Sequence, residues 1–174
     1  MKEPISTKRI QLRKFRKEQV DLLFQLNSDP EVMKYITPGK AMTFDEVKSR
    51  SMPRIMKSYS HGEEFGIFPA YLKRTENYIG WFQFEPDQDI NDAVEIGWRL
   101  KREFWGLGYA TEVAKALVKR FDGEFPDGYF KEIMEYLEMK GDYFHKLCDE
   151  FRSPHLWQNI KGQWKLRHTV WQES

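Results

Sequence analysis

Trp105-Gly106-Leu107-Gly108-Tyr109-Ala110 lies between a segment that reads as a strand, Val94-Glu95-Ile96-Gly97-Trp98-Arg99-Leu100, and one with a helical repeat, from about Ala110 to Phe121. Glycines at alternate positions let a backbone turn tightly and approach a ligand closely. The first amides of the helix they open have no acceptor inside it, and the helix dipole adds partial positive charge at that end. Strand, glycine turn and helix in that order make a seat for a phosphate or pyrophosphate.

Upstream, Arg9-Ile10-Gln11-Leu12-Arg13-Lys14-Phe15 alternates apolar and polar and predicts a first strand. Lys17 to Asn27 carries Val20, Leu23, Phe24 and Asn27 at helical spacing. Asp29-Pro30 opens a short helix with Val32, Met33 and Ile36, which Pro38-Gly39 breaks. Thr43 and Glu46 form a capping-box pair. The helix after it, to about Ser58, buries Val47, Met52, Ile55 and Met56, with a kink expected at Pro53. Phe65 to Leu72 and Asn77 to Phe84 read as two strands joined by a short turn. Pro69 removes a ladder donor there and asks for an edge or a bulge.

Downstream the style changes. Phe130, Ile133, Met134 and Leu137 make one helical stripe, and Phe144, Leu147, Cys148 and Phe151 make a second. Trp164 to Trp171 alternates well enough for a short strand.

The 174 residues fit one domain with a real core. A net charge of +1, with both signs interspersed, gives no global field for nucleic acid or a membrane surface. The single cysteine, Cys148, excludes an internal disulfide and a cysteine-based metal cluster, and a reducing cytoplasm fits. The segment Met1 to Arg9 is polar and basic, unlike a signal peptide, and no run approaches the ~20 apolar residues of a membrane span. His145, His155 and His168 lack metal-ligand spacing, so no metal is expected.

Several separated motifs occur in one order: Thr7-Lys8-Arg9-Ile10-Gln11-Leu12-Arg13, Leu26-Asn27-Ser28-Asp29-Pro30, Tyr78-Ile79-Gly80-Trp81, Glu95-Ile96-Gly97-Trp98-Arg99-Leu100 and Phe104-Trp105-Gly106-Leu107-Gly108-Tyr109-Ala110-Thr111-Glu112. In this, residues 7–121 resemble the GNAT N-acetyltransferases, in their RimJ/RimL-like branch. The resemblance implies an α/β fold with a mixed, mostly antiparallel sheet and helices on both faces. It implies acetyl-CoA as cosubstrate, with the backbone of Ile96, Trp98 and Leu100 pairing with the pantetheine arm. Trp105, Gly106, Leu107, Gly108, Tyr109, Ala110 and Thr111 would surround the pyrophosphate. After the turn helix the family continues with a further strand, a further helix and a closing hairpin, and their motifs are not found here. Residues 123–174 instead resemble the carboxyl end of N-acetyl sugar amidotransferases, as in a fusion. The expected organisation is therefore a GNAT-like region, 1–121, truncated after its turn helix, and a helical tail, 122–174. Trp164 to Trp171 is expected to cover the sheet edge left by the missing strand.

Acetyl transfer needs a neutral amine, a polarised thioester carbonyl and a proton for the leaving thiolate. A backbone amide near Trp98 suits the oxyanion, and Glu95 suits deprotonation of an ammonium. Strand alternation puts Glu95, Gly97 and Arg99 on one face. The bland reading of Glu95 is a solvated or ion-paired strand carboxylate, and that of Tyr109 is packing rather than acid catalysis. The expected activity is N-acetyl transfer to a primary amine: an amino-sugar nucleotide, a small amine or a protein N-terminus. The alternative is an inactive remnant serving as an interaction module. A homodimer through the sheet edge or the tail helices stays open.

Overall fold

In the computed structural model the described residues are 5–33, 40–86, 94–120, 155–160 and 163–168. Six strands form one sheet in the order β1 (Ile10–Leu12), β2 (Gly66–Leu72), β3 (Tyr78–Pro86), β4 (Val94–Leu100), β5 (His155–Ile160) and β6 (Gln163–His168). Every described ladder is antiparallel, and each strand neighbours the next in sequence. The expected mixed character therefore has no parallel pair among the described residues.

One face of the sheet presents Phe68, Ile79, Phe82, Phe84, Ile96 and Leu100 to Ala110, Val113, Ala114 and Leu117 of α5 (Tyr109–Arg120). Val113 and Leu117 are fully buried, each worth about 1.5–3 kcal/mol relative to exposure. The other face, with Ile67, Tyr71 and Tyr78, packs against α1 (Val20–Asn27), α2 (Pro30–Met33) and α4 (Met52–Ser58). On α1 the buried set is Val20, Leu23, Leu26 and Asn27, while Phe24 is half-buried and meets Phe44 edge-on, with ring centroids 5.5 Å apart.

Local chemistry explains the element ends. The Thr43 amide donates to Glu46 Oε2 (2.8 Å) and the Glu46 amide to Thr43 Oγ1 (3.3 Å), closing the capping box that opens α3 (Phe44–Glu46). The kink expected at Pro53 takes the form of a π-turn, Val47–Ser51, in which the Met52 amide reaches back five residues to the Val47 carbonyl. Widening the turn just before the proline accommodates a residue that has no amide hydrogen. Pro69 sits inside β2, yet its carbonyl accepts from the Arg13 amide at 3.1 Å, past the last β1 ladder residue, Leu12. Amide and carbonyl of one strand residue point the same way, so the missing donor faces a place where β1 has already ended.

Between β2 and β3 the register slips: Ala70 pairs with Gly80 and Tyr71 with Tyr78, so Ile79 is an extra residue, a β-bulge. Gly80 has φ +141°, and a Cβ on it would lie 2.1 Å from the Arg99 carbonyl oxygen of β4. Only glycine permits that approach of the two strands.

Two expectations for the tail change. The edge of β4 is covered by β5, residues the sequence pattern did not mark, whereas residues 164–168 of the expected segment lie in β6 and pair with β5; residues 169–171 are outside the described residues. His-Leu-Trp-Gln-Asn-Ile alternates poorly, and its strand identity comes from the partner rather than from its own pattern. The segment beside β4 thus lies earlier in the tail than expected, and the tail adds two strands to the sheet rather than one. The two helical stripes, 130–137 and 144–151, and Cys148 lie outside the described residues, as does Ile36.

Candidate functional site

β4 and the start of α5 meet at the glycine turn. Gly106 (φ +72°) and Gly108 (φ +73°) both occupy the left-handed region. Nothing lies within 4 Å of a Cβ built on Gly106, so conformation rather than space calls for glycine there. The Glu112 amide bonds to the Gly108 carbonyl at 3.1 Å as the first turn of α5 closes. Amides ahead of it, through Thr111, are the helix's outward-pointing donors and carry the positive end of its dipole. This is where the sequence pattern expects a phosphate to sit. Leu107 is exposed, Ala110 is buried and Thr111 is half-buried.

Trp105 folds back over the end of β4: its indole Nε1 donates to the Leu100 carbonyl at 2.8 Å, and 39 % of the residue remains exposed. Tyr109 packs against Phe104 and lies under the Arg9 guanidinium, with Cζ 4.4 Å from the ring centroid. Arg9 ties the first turn of α5 to the entry of β1. It donates from its amide (2.9 Å) and its Nε to Glu112, and from Nη1 to the Leu107 carbonyl (3.0 Å). Partial burial opposes ionisation of Glu112, but hydrogen bonds from Thr7 and Arg9 outweigh it and hold the carboxyl below its ordinary range.

The backbone of β4 alternates. The Lys101 amide bonds to the Ile79 carbonyl of β3 at 2.9 Å, so Arg99 and Gly97 also aim their backbone groups at β3. Ile96, Trp98 and Leu100 aim theirs the other way. On that side the ladder with β5 holds three pairs, Val94 with Trp157, Glu95 with Leu156 and Ile96 with His155. β4 runs on past the last pair for Gly97–Leu100, and a short 3-10 turn, Arg102–Phe104, leads from its end to the glycines. The side chains of Ile96 and Leu100 are buried in the α5 core, with Trp98 packed beside them.

On the opposite face a polar cluster crosses β3 and β4. Arg99 Nη1 donates to Asn27 Oδ1 and to Met33 Sδ (3.6 Å), and the guanidinium lies 5.0 Å from the Trp81 ring centroid. Burial pulls the Arg99 pKa down to about 10. Its Nε, and the hydroxyl of Tyr78, are buried with no hydrogen-bond partner among the described residues. Burial pushes the Tyr78 hydroxyl well above its usual range. Glu85 is buried and ion-paired with Arg54 at 3.2 Å. The register sets Glu95 directly opposite Glu85. Sequence reasoning missed Asn27, Arg54 and Glu85 as members of this cluster. The available signal was Gln83 and Glu85, polar residues alternating with Phe82 and Phe84 in an otherwise apolar strand.

Among the described residues no group of three or more His, Cys, Asp or Glu could hold a metal ion, and no helix is long and apolar enough to cross a membrane. His155 and His168 fall opposite each other in the β5–β6 ladder.

A family model described as an acetyltransferase (GNAT) domain matches residues 9–160. An uncharacterised N-acetyltransferase, p20, of Bacillus licheniformis is 36% identical over 118 residues, covering 67% of this chain and 64% of that protein. The FsC-acetyl coenzyme A-N(2)-transacetylase of Aspergillus fumigatus is 28% identical over 122 residues, covering 66% and 51%. The chain thus spans less than two thirds of the length of these curated relatives. A GNAT-family acetyltransferase structure from Bacillus anthracis superposes with a TM-score of 0.55 at 26% identity, covering 70% of this chain and 68% of that one.

Proposed function

The chain belongs to the acetyltransferase (GNAT) family, and on that premise we propose that it transfers an acetyl group from acetyl-CoA to a primary amine. The observation that carries the reading is that β4 runs on beyond its ladder with β5 and is joined, through one 3-10 turn, to the doubly left-handed glycine turn. Outward backbone groups of Trp98 and Leu100 suit the amide-rich pantetheine arm, as those of Ile96 would if β5 gave way. The amides of residues 107–111 suit the pyrophosphate, with Trp105, Gly106 and Tyr109 shaping its surroundings. The Aspergillus relative carries acetyl coenzyme A in its name, which agrees with this donor.

Glu95 takes a proton from the acceptor ammonium, and the freed nitrogen lone pair attacks the thioester carbonyl. The oxyanion is held by a β4 amide near Trp98. Collapse breaks the carbon–sulfur bond, and the proton shed by the new amide nitrogen balances the departing thiolate. Glu85, opposite Glu95 in the ladder, is already paired with Arg54, which leaves Glu95 to meet the acceptor's ammonium. An amino-sugar nucleotide, a small amine and a protein N-terminus all present such a group.

Thermal melting with acetyl-CoA tests the donor. At about 100 times Kd, binding to the folded state alone adds about 2.7 kcal/mol, a rise of roughly 5–10 °C for a chain of this size. No shift at millimolar acetyl-CoA would leave the interaction-module reading in its place. Gly108→Pro supplies the local test. Proline fixes φ near −65° where Gly108 has +73°. It also deletes an amide donor, so Kd for CoA is expected to weaken at least about tenfold. An unchanged Kd by calorimetry would move the phosphate elsewhere.

A further inference from the structure

We propose that Arg9 is a positioning residue for the cofactor: by holding the Leu107 carbonyl it aims the Gly108 amide at the bound phosphate. This rests on the acetyl-CoA reading above. A trans peptide is planar, so the Leu107 carbonyl and the Gly108 amide point in opposite directions across one plane. Fixing either fixes the other. The plane is otherwise easily rotated, because Gly108 tolerates both signs of φ. Turned over, the same plane would present a carbonyl oxygen to an anion, exchanging attraction for repulsion.

Arg9 Nη1 bonds to that carbonyl at 3.0 Å. Arg9 is itself fixed by three contacts, two of them on the guanidinium. Nε bonds to Glu112 Oε2, the Arg9 amide bonds to Glu112 Oε1 at 2.9 Å, and Tyr109 lies beneath with its ring centroid 4.4 Å from Cζ. Nη2 lies 3.5 Å from where a Cβ on Gly108 would sit, so the positive charge rests against the turn. A planar fork with several donors can hold Glu112 and Leu107 at once, and a lysine ammonium on a flexible stem cannot reproduce that geometry.

Arg9→Lys separates geometry from charge. CoA affinity is measured by calorimetry, folding by thermal melting, and the Gly108 amide by nitrogen–proton correlation spectra with and without CoA, all well below both melting temperatures. The expected result is an affinity loss of about tenfold together with loss of the CoA-induced shift of the Gly108 amide. Wild-type affinity and an unaltered Gly108 shift in the variant would overturn the proposal, even if the melting temperature fell, because Arg9 would then act through charge or packing alone. Should Arg9→Lys fail to fold, Glu112→Gln, which keeps the shape but loosens the anchor, must shift both readouts in the same direction, and no change there overturns it equally. If the wild-type protein itself binds no CoA, the acetyl-CoA reading falls and takes this proposal with it.

Discussion

Gly80→Ala is expected to prevent folding or to lower the melting temperature by roughly 5–20 °C. The added Cβ would stand 2.1 Å from the Arg99 carbonyl oxygen and 2.8 Å from the Leu100 Cα, both backbone atoms with no freedom to rotate away. Alanine at φ +141° costs about 1–3 kcal/mol in strain, and overpacking adds about 1–3 kcal/mol more. Together these consume much of the about 5–15 kcal/mol that holds a domain folded. Gly97→Ala is the control on the neighbouring strand. Its Cβ would meet Gln83 Cβ at an ordinary 3.7 Å, and surface-like tolerance within about 0.5 kcal/mol is expected. A Gly80→Ala protein that melts with the wild type would mean that β3 and β4 do not approach as described.

Glu95→Gln is expected to lower kcat by about a hundredfold or more, the usual worth of a general base, while CoA binds as before. Glutamine keeps the size and loses the ability to accept a proton. Glu95 stands on β4 between the ladder partners Glu85 and Leu156, and Glu85 already has Arg54 at 3.2 Å, so it is not free to take over. A thiol-release assay with a reactive amine acceptor reads kcat directly. Undiminished turnover would remove Glu95 from the chemistry and restore the plain reading of a strand carboxylate.

The parts of the fold that were legible are those written in local patterns. Val94–Leu100 is a strand over the range that its residues suggest, and the helix after the glycines begins within one residue of the expected start. The Thr43–Glu46 box is formed as the pair predicts. What stayed hidden depends on partners far along the chain. Arg9 and Glu112 are 103 positions apart, and Asn27 and Arg99 are 72 apart. No periodicity encodes such pairings, since each side chain alone reads as a solvated polar residue. The left-handed glycine turn and the helix it opens were readable because glycine spacing and helix polarity are local. The Arg9 brace behind it was not.

The order of the strands also bears on how this chain is made. β1 and β2 find each other across the helical segment between them, and β3 and β4 then add successively, so the first four strands can form as the polypeptide leaves the ribosome. The fifth is delayed: β4 ends at Leu100 and β5 begins at His155. Translation at about 5–20 residues per second leaves the nascent outer strand without its neighbour for roughly 3–10 s, the interval in which a holdase or a second emerging copy would find it.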